Sequence, residues 1–266
     1  MRPAAAVDPL RLAGLAGFLL AFGAMTYVAT QMGVVARYTG PFQIADNLMV
    51  LPSTLSATLF PAVSSLRGGR DRASLHALTA SALKGLGRCI GLIVIGLTAA
   101  GNEVVLVFLG TDYLGAPVDV FRLLCLGFLI NALAFVPYSI VQGVGRPDLV
   151  AKCHVAELPL HLGALALVAP WLSIHGVALA WVLRVGLDAG LLFYFSRRLE
   201  GFSFRETARL GGRRTGLLLG AGLACAWALS SWPDIGAAAR VALAAALVLA
   251  CAAAALAWCL TPDERG

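Results

Sequence analysis

Residues 121–143 read FRLLCLGFLINALAFVPYSIVQG. The stretch is long and apolar enough to cross a bilayer as one helix, which takes roughly 17–25 mostly apolar residues. It nevertheless carries Arg122, Asn131, Tyr138 and Gln142. Asn131, Tyr138 and Gln142 are spaced i, i+7 and i+11, so a 3.6-residue repeat puts them on one face. The next apolar stretches repeat the anomaly. Lys152, His154, Glu157 and His161 fall in one, and Arg184 and Asp188 lie near the middle of another. A charge at membrane depth costs at least roughly 2.5–3.5 kcal/mol on the insertion scale. A chain that keeps several is expected to enclose a polar path, and the functional expectation is transport.

Composition agrees. The 266 residues are 59% hydrophobic and 13% charged, with a mean hydropathy of +0.85. Soluble domains run near 45–50% apolar and about 25% charged, so the expected class is an all-α polytopic membrane protein. The formal net charge is +6. Its basic residues flank apolar spans without an aromatic-interleaved basic surface, so no nucleic-acid partner is expected. The six cysteines contain no C-x-x-C pair, which suggests neither a disulfide framework nor a zinc site. The apolar run at 12–30 suits a spanning helix better than a 7–15-residue signal core.

About eight spans are expected, near 10–30, 41–66, 86–109, 117–143, 149–170, 174–196, 214–232 and 237–260. Turn chemistry separates them, as at Arg67-Gly-Gly-Arg70, Gly110-Thr-Asp112, Gly145-Arg-Pro147-Asp148, His175-Gly176 and Trp232-Pro233-Asp234. With both termini in the cytoplasm, sixteen of the twenty basic residues fall toward the inner side, only Arg37 and Arg240 toward the outer, and Arg122 and Arg184 within helices. The positive-inside rule selects that orientation. Composition divides the chain into a six-helix bundle (1–198), a basic cytoplasmic connector (199–214) and a two-helix appendix (215–266).

The polar residues form stripes. Asn47, Thr54 and Thr58 share one face, with Asp46 and Ser53 beside them. Small polar residues commonly pack membrane helices together, but a carboxylate at Asp46 needs a partner or water. Arg122 can pair with Asp119 at i, i+3 or snorkel to the outer surface. His154, Glu157 and His161 fall at i, i+3 and i+7. A bundle metal site would draw further carboxylates in Glu-x-x-His pairs. Here Glu157 is followed four residues later by His161, so a structural or proton-handling stripe is expected, with no metal and no cofactor. Arg184 and Asp188, at i, i+4, read either as a neutralising pair or as a cationic contact tuned by a carboxylate.

Four stretches resemble a family. YTGP (38–41) with LPSTLSATLFPAVSSL (51–66), and FRLL (121–124) with VPYSIVQGVGRPD (136–148), resemble helices of the O-antigen and teichoic-acid flippases. KCHVAELP (152–159) and GVALAWVLRVGLD (176–188) resemble the next two helices of that family. Lipid II flippases and multidrug exporters of the MATE class share its superfamily. The resemblance spans about 35–198 and covers the second half of such a transporter. It implies a bacterial inner-membrane protein that turns undecaprenyl-pyrophosphate-linked oligosaccharides to the outer leaflet by alternating access. It also implies a basic cavity, at Arg184 and Arg122, with Arg146 and Lys152 at the inner mouth. Asn131 and Gln142 add polar cavity positions, and Asp46, Glu157 and Asp188 are the candidates for a coupling ion. Family members have two six-helix halves, so the implied partners are lipid-linked oligosaccharide, membrane lipids, and a separate first-half chain or a second copy.

Three rivals stand beside this reading. A cation-coupled MATE-like exporter would want an acid-rich cavity, against the basic bias here. A truncated remnant or an accessory membrane subunit would not transport. A membrane glycosyltransferase is disfavoured because no nucleophile or paired catalytic carboxylates stand out, so no enzymatic activity is expected. No Walker A motif occurs, which argues against ATP as the energy source within this chain.

Overall fold

The structure, a computed structural model, describes residues 35–67, 72–200, 207–232 and 235–259, with Leu20, Phe22, Gly23 and Met25. Apart from those four residues, the span expected at 10–30 lies outside the described residues, as does the heart of the basic connector, 201–206. Among those described, every regular element is helical. Helix α1 (Val35–Asp46) continues through one 3-10 turn (Asn47–Met49) into α2 (Val50–Arg67). Pro52 has no N–H to offer the Leu48 carbonyl, and the backbone tightens just ahead of it.

The span expected at 86–109 is corrected. Helix α3 starts at Arg72 and ends at Ala99, and a separate short helix α4 follows (Gly101–Leu109). The break is at Ala100, where φ −98° and ψ 24° leave the helical region. Lys84 and Arg88, expected to flank the span, lie inside α3 instead. Basic residues interrupt an apolar run but are good helix formers. Lys84 is buried, and Arg88 Nε donates to Thr215 Oγ1 at 3.4 Å.

Helix α5 (Ala116–Gly143) is the stretch read first. It is followed by α6 (Pro147–Glu200), 54 residues long. At about 1.5 Å per residue α6 would reach roughly 80 Å, far beyond a hydrocarbon core of about 30 Å. It is in fact a hairpin of two arms, 147–172 and 174–200, reversing at Ser173 (φ 51°, ψ −128°). The arms close tightly above the turn. A side chain at Gly176 would meet the Val168 carbonyl oxygen at 2.6 Å, so only glycine fits there. Helices α7 (Arg213–Ser230) and α8 (Ala237–Ala254) follow.

Five described helices are long and apolar enough to cross a membrane: Ala36–Ser65, Ala73–Ala99, Ala116–Gly143, Pro147–Leu199 and Ala237–Ala257. They make the chain a membrane protein that is all-helical among its described residues. Helix α5 is its hub, touching α1, α2, α3 and α6. Phe121, Leu124, Phe128, Val136 and Ile140 of α5 enter one core with Tyr38, Val63, Ile90 and Val94. Phe128 stacks against Trp181 of the second arm (ring centroids 4.6 Å apart), and Phe42 of α1 meets both rings. Gly127 makes that approach possible, since a Cβ there would lie 2.5 Å from the Trp181 ring. Helices α7 and α8 reach the bundle through α3, around Ile95, Ala99, Leu219, Ala226 and Ala244. This frame fixes the two arms of α6 side by side against α5.

Candidate functional site

Antiparallel arms place residue pairs opposite one another, and here the pairs are charged. Glu157 on the first arm faces Arg184 on the second, with Arg184 Nε 3.6 Å from Glu157 Oε2. One turn away, His154 Nδ1 lies 3.8 Å from Glu157 Oε2 and 3.6 Å from Asp188 Oδ1. Glu157 is 1% exposed and Asp188 8%, whereas the side chains of His154 and Arg184 are 46% and 35% exposed. The carboxylates are therefore inside and the basic groups at the opening. Helix α5 closes one side with Ala134, Val141 and Tyr138, packed against Val150, Ala189 and Leu192 of the arms.

These contacts are ion pairs without hydrogen bonds. Neither Glu157 oxygen has a hydrogen-bond partner among the described residues, and neither does Asp188 Oδ1. An unsatisfied buried polar group costs about 1–3 kcal/mol, more when charged. Two carboxylates thus face one guanidinium and one imidazole. The arrangement can hold a cation inside and present Arg184 to an anion at its mouth. His161, one turn beyond Glu157, keeps its buried Nδ1 unpartnered.

The remaining expected site residues are placed elsewhere. Arg146 donates to both oxygens of Asp148 (2.9 and 3.1 Å), and Lys152 reaches the same carboxylate at 3.4 Å. That bond holds the Arg146 guanidinium above its ordinary pKa. Arg122 is buried between α3 and α5, donating Nε to the Thr98 carbonyl (3.2 Å) and an NH1 proton to Asp119 (3.2 Å). It does not meet Arg184. Asn131 gives Nδ2 to Met49 Sδ at 3.5 Å, and Gln142 is half-buried near the end of α5. Asp46 is exposed at the end of α1. Thr54 and Thr58 are exposed too, each bonding a carbonyl of its own helix (Val50 and Leu55).

Two groupings escaped the sequence reading. Arg184 and Asp188 were paired along one helix, but the ion pair within 4 Å of Arg184 runs across the hairpin to Glu157. Glu103 of α4 and Arg240 of α8 form a 2.8 Å pair with both side chains 12% exposed. Their separation of 137 residues left no periodic signal to find.

Over 165 residues, 62% of the chain, the sequence is 30% identical to a Shigella flexneri protein named "Putative O-antigen transporter". The matched stretch covers 39% of that relative's length. The chain thus has a partial and distant relationship to that transporter's family. No protein-family profile matches the chain, and no solved structure matches it.

Proposed function

We propose, on the premise of this partial kinship with O-antigen flippases, that the chain forms one wall of a lipid-linked oligosaccharide flippase. The cargo is an undecaprenyl-pyrophosphate-linked oligosaccharide, turned across the bacterial inner membrane by alternating access. The observation that carries the reading is Arg184: a part-exposed guanidinium inside an apolar hairpin, roughly 16 Å from the turn at Ser173. Such a group suits the pyrophosphate while the polyprenyl tail remains in lipid. Arg146 and Lys152 stand at the inner mouth, where their link to Asp148 opens when a stronger anion arrives. Arg122 is committed to Thr98 and Asp119 and serves the frame. A cation exchanging at Glu157 and Asp188 supplies the coupling. Both termini lie in the cytoplasm, and a further helical bundle, on this polypeptide or another, supplies the opposite wall.

Replacing Arg184 separates the roles. Arg184→Ala is expected to abolish surface polysaccharide at normal protein level, and Arg184→Lys to retain part of it. Wild-type polysaccharide in Arg184→Ala overturns the cavity role, and loss of the protein assigns Arg184 to hairpin packing.

The buried carboxylates favour one second reading, a cation-coupled exporter of the MATE class. Dye efflux that depends on Glu157 and Asp188, with normal lipid-linked sugar translocation in their absence, would decide for it.

A further inference from the structure

The hairpin brings together three metal-ligating side chains that the sequence separates into two stripes. His154, Glu157 and Asp188 each offer a ligand atom, and these atoms lie within 4.8 Å of one another. The sequence shows no Glu-x-x-His pair that would signal a bundle metal site, but Asp188 of the second arm adds a carboxylate to His154 and Glu157 of the first. A second observation points to a ligand. The Glu157 side chain is 1% exposed and neither of its oxygens has a hydrogen-bond partner among the described residues, and Asp188 Oδ1 beside it lacks one too.

We infer that His154, Glu157 and Asp188 form a binding site for a divalent transition-metal ion of the zinc class. Ligands about 2.1 Å from a tetrahedral metal stand roughly 3.4 Å apart. The His154 nitrogen is already 3.8 and 3.6 Å from the two carboxylates. Small rotations of the three side chains complete the geometry. One nitrogen and two carboxylate oxygens suit zinc or cobalt, whereas calcium takes 6–8 oxygens and magnesium keeps an octahedral shell. Three protein ligands leave a coordination position open, as in catalytic rather than structural zinc sites. The half-exposed His154 and Arg184 put that position at the mouth of the cluster. Arg184, 3.6 Å from the ligating carboxylate, stands as the outer partner that orients it. Occupancy ties the two arms together and adds two positive charges to the cluster. The ion thereby competes with any cation exchanging there and favours an anionic headgroup beside Arg184. That last consequence rests on the proposed function, but the site itself does not.

Cobalt(II) titration of the purified full chain in lipid nanodiscs tests the site. The expected result is one ion per chain with visible d–d bands of a low-coordinate site, displaced by zinc. Each of His154→Ala, Glu157→Gln and Asp188→Asn is expected to weaken binding at least about tenfold, while His161→Ala retains it. Circular dichroism verifies the fold of each variant. His154 is half-exposed, so its replacement keeps the test intact even where a carboxylate variant fails to fold. Absent bands, or unchanged cobalt affinity in His154→Ala, overturns the site. Either leaves the flippase reading standing, because no transport is measured.

Discussion

Glu157 is the most constrained residue of the hairpin, being 1% exposed with cationic neighbours only at ion-pair distance. Breaking a fully buried pair from one side leaves an uncompensated charge and costs about 3–5 kcal/mol, and the 35% exposure of Arg184 screens this pair to less. Arg184→Ala therefore stresses the fold as well as the proposed cavity. The double variant Arg184→Ala with Glu157→Gln removes the stranded charge. Its thermal midpoint in detergent is expected to exceed that of Arg184→Ala alone, and a lower midpoint would deny that the pair is coupled. Ser173 poses the opposite case. It holds a positive φ that favours glycine, at a typical cost of about 1–3 kcal/mol. Ser173→Gly should raise the melting temperature by an amount worth about 1 kcal/mol, after allowing for glycine's extra unfolded-state freedom. A lowered midpoint would show that the turn is unstrained.

Among the elements, α8 is tied to α4 by the Arg240–Glu103 pair. Removing Arg240 strands a carboxylate that is only 12% exposed. Arg240→Ala is expected to cost about 3–5 kcal/mol, and Arg240→Gln with Glu103→Gln to recover most of it. Cysteine cross-linking between α8 and α3 reports the result, and equal cross-linking in Arg240→Ala would refute the latch. Most of the helices were legible in the sequence, because apolar stretches of bilayer length announce themselves. Their ends were less so. Lys84 and Arg88 resembled a boundary, yet α3 runs through both. The site was legible by residue but not by partner. Spacing pairs Arg184 with Asp188 and His154 with Glu157 along their own arms. The partners across the hairpin depend on where it reverses, and shifting that point by one residue changes every facing pair. Ser173 lacks the usual turn signature, and the nearest signal, His175-Gly176, lies just beyond it.

For the whole molecule, the outward face of α1 and α2 decides what surrounds the bundle. Ser53, Thr54, Thr58 and Ser65 point outward but bond their own backbone, which lipid tolerates. Asp46 is different: it is exposed, roughly 15 Å into the Ala36–Ser65 rod. A carboxylate there requires water or protein cover, which the proposed opposite wall would supply. In cells, Asp46→Cys should react with a water-soluble maleimide, and labelling by lipid-soluble reagents alone would put this face against lipid. The central claim is flipping itself. The most direct measurement deletes the gene for this chain in its native host and compares lipid-linked oligosaccharide on the two leaflets of the membrane that holds the chain. Accumulation on the cytoplasmic leaflet, reversed by the wild-type chain but not by Arg184→Ala, is the predicted result. An unchanged leaflet distribution in the deletion strain would contradict the account.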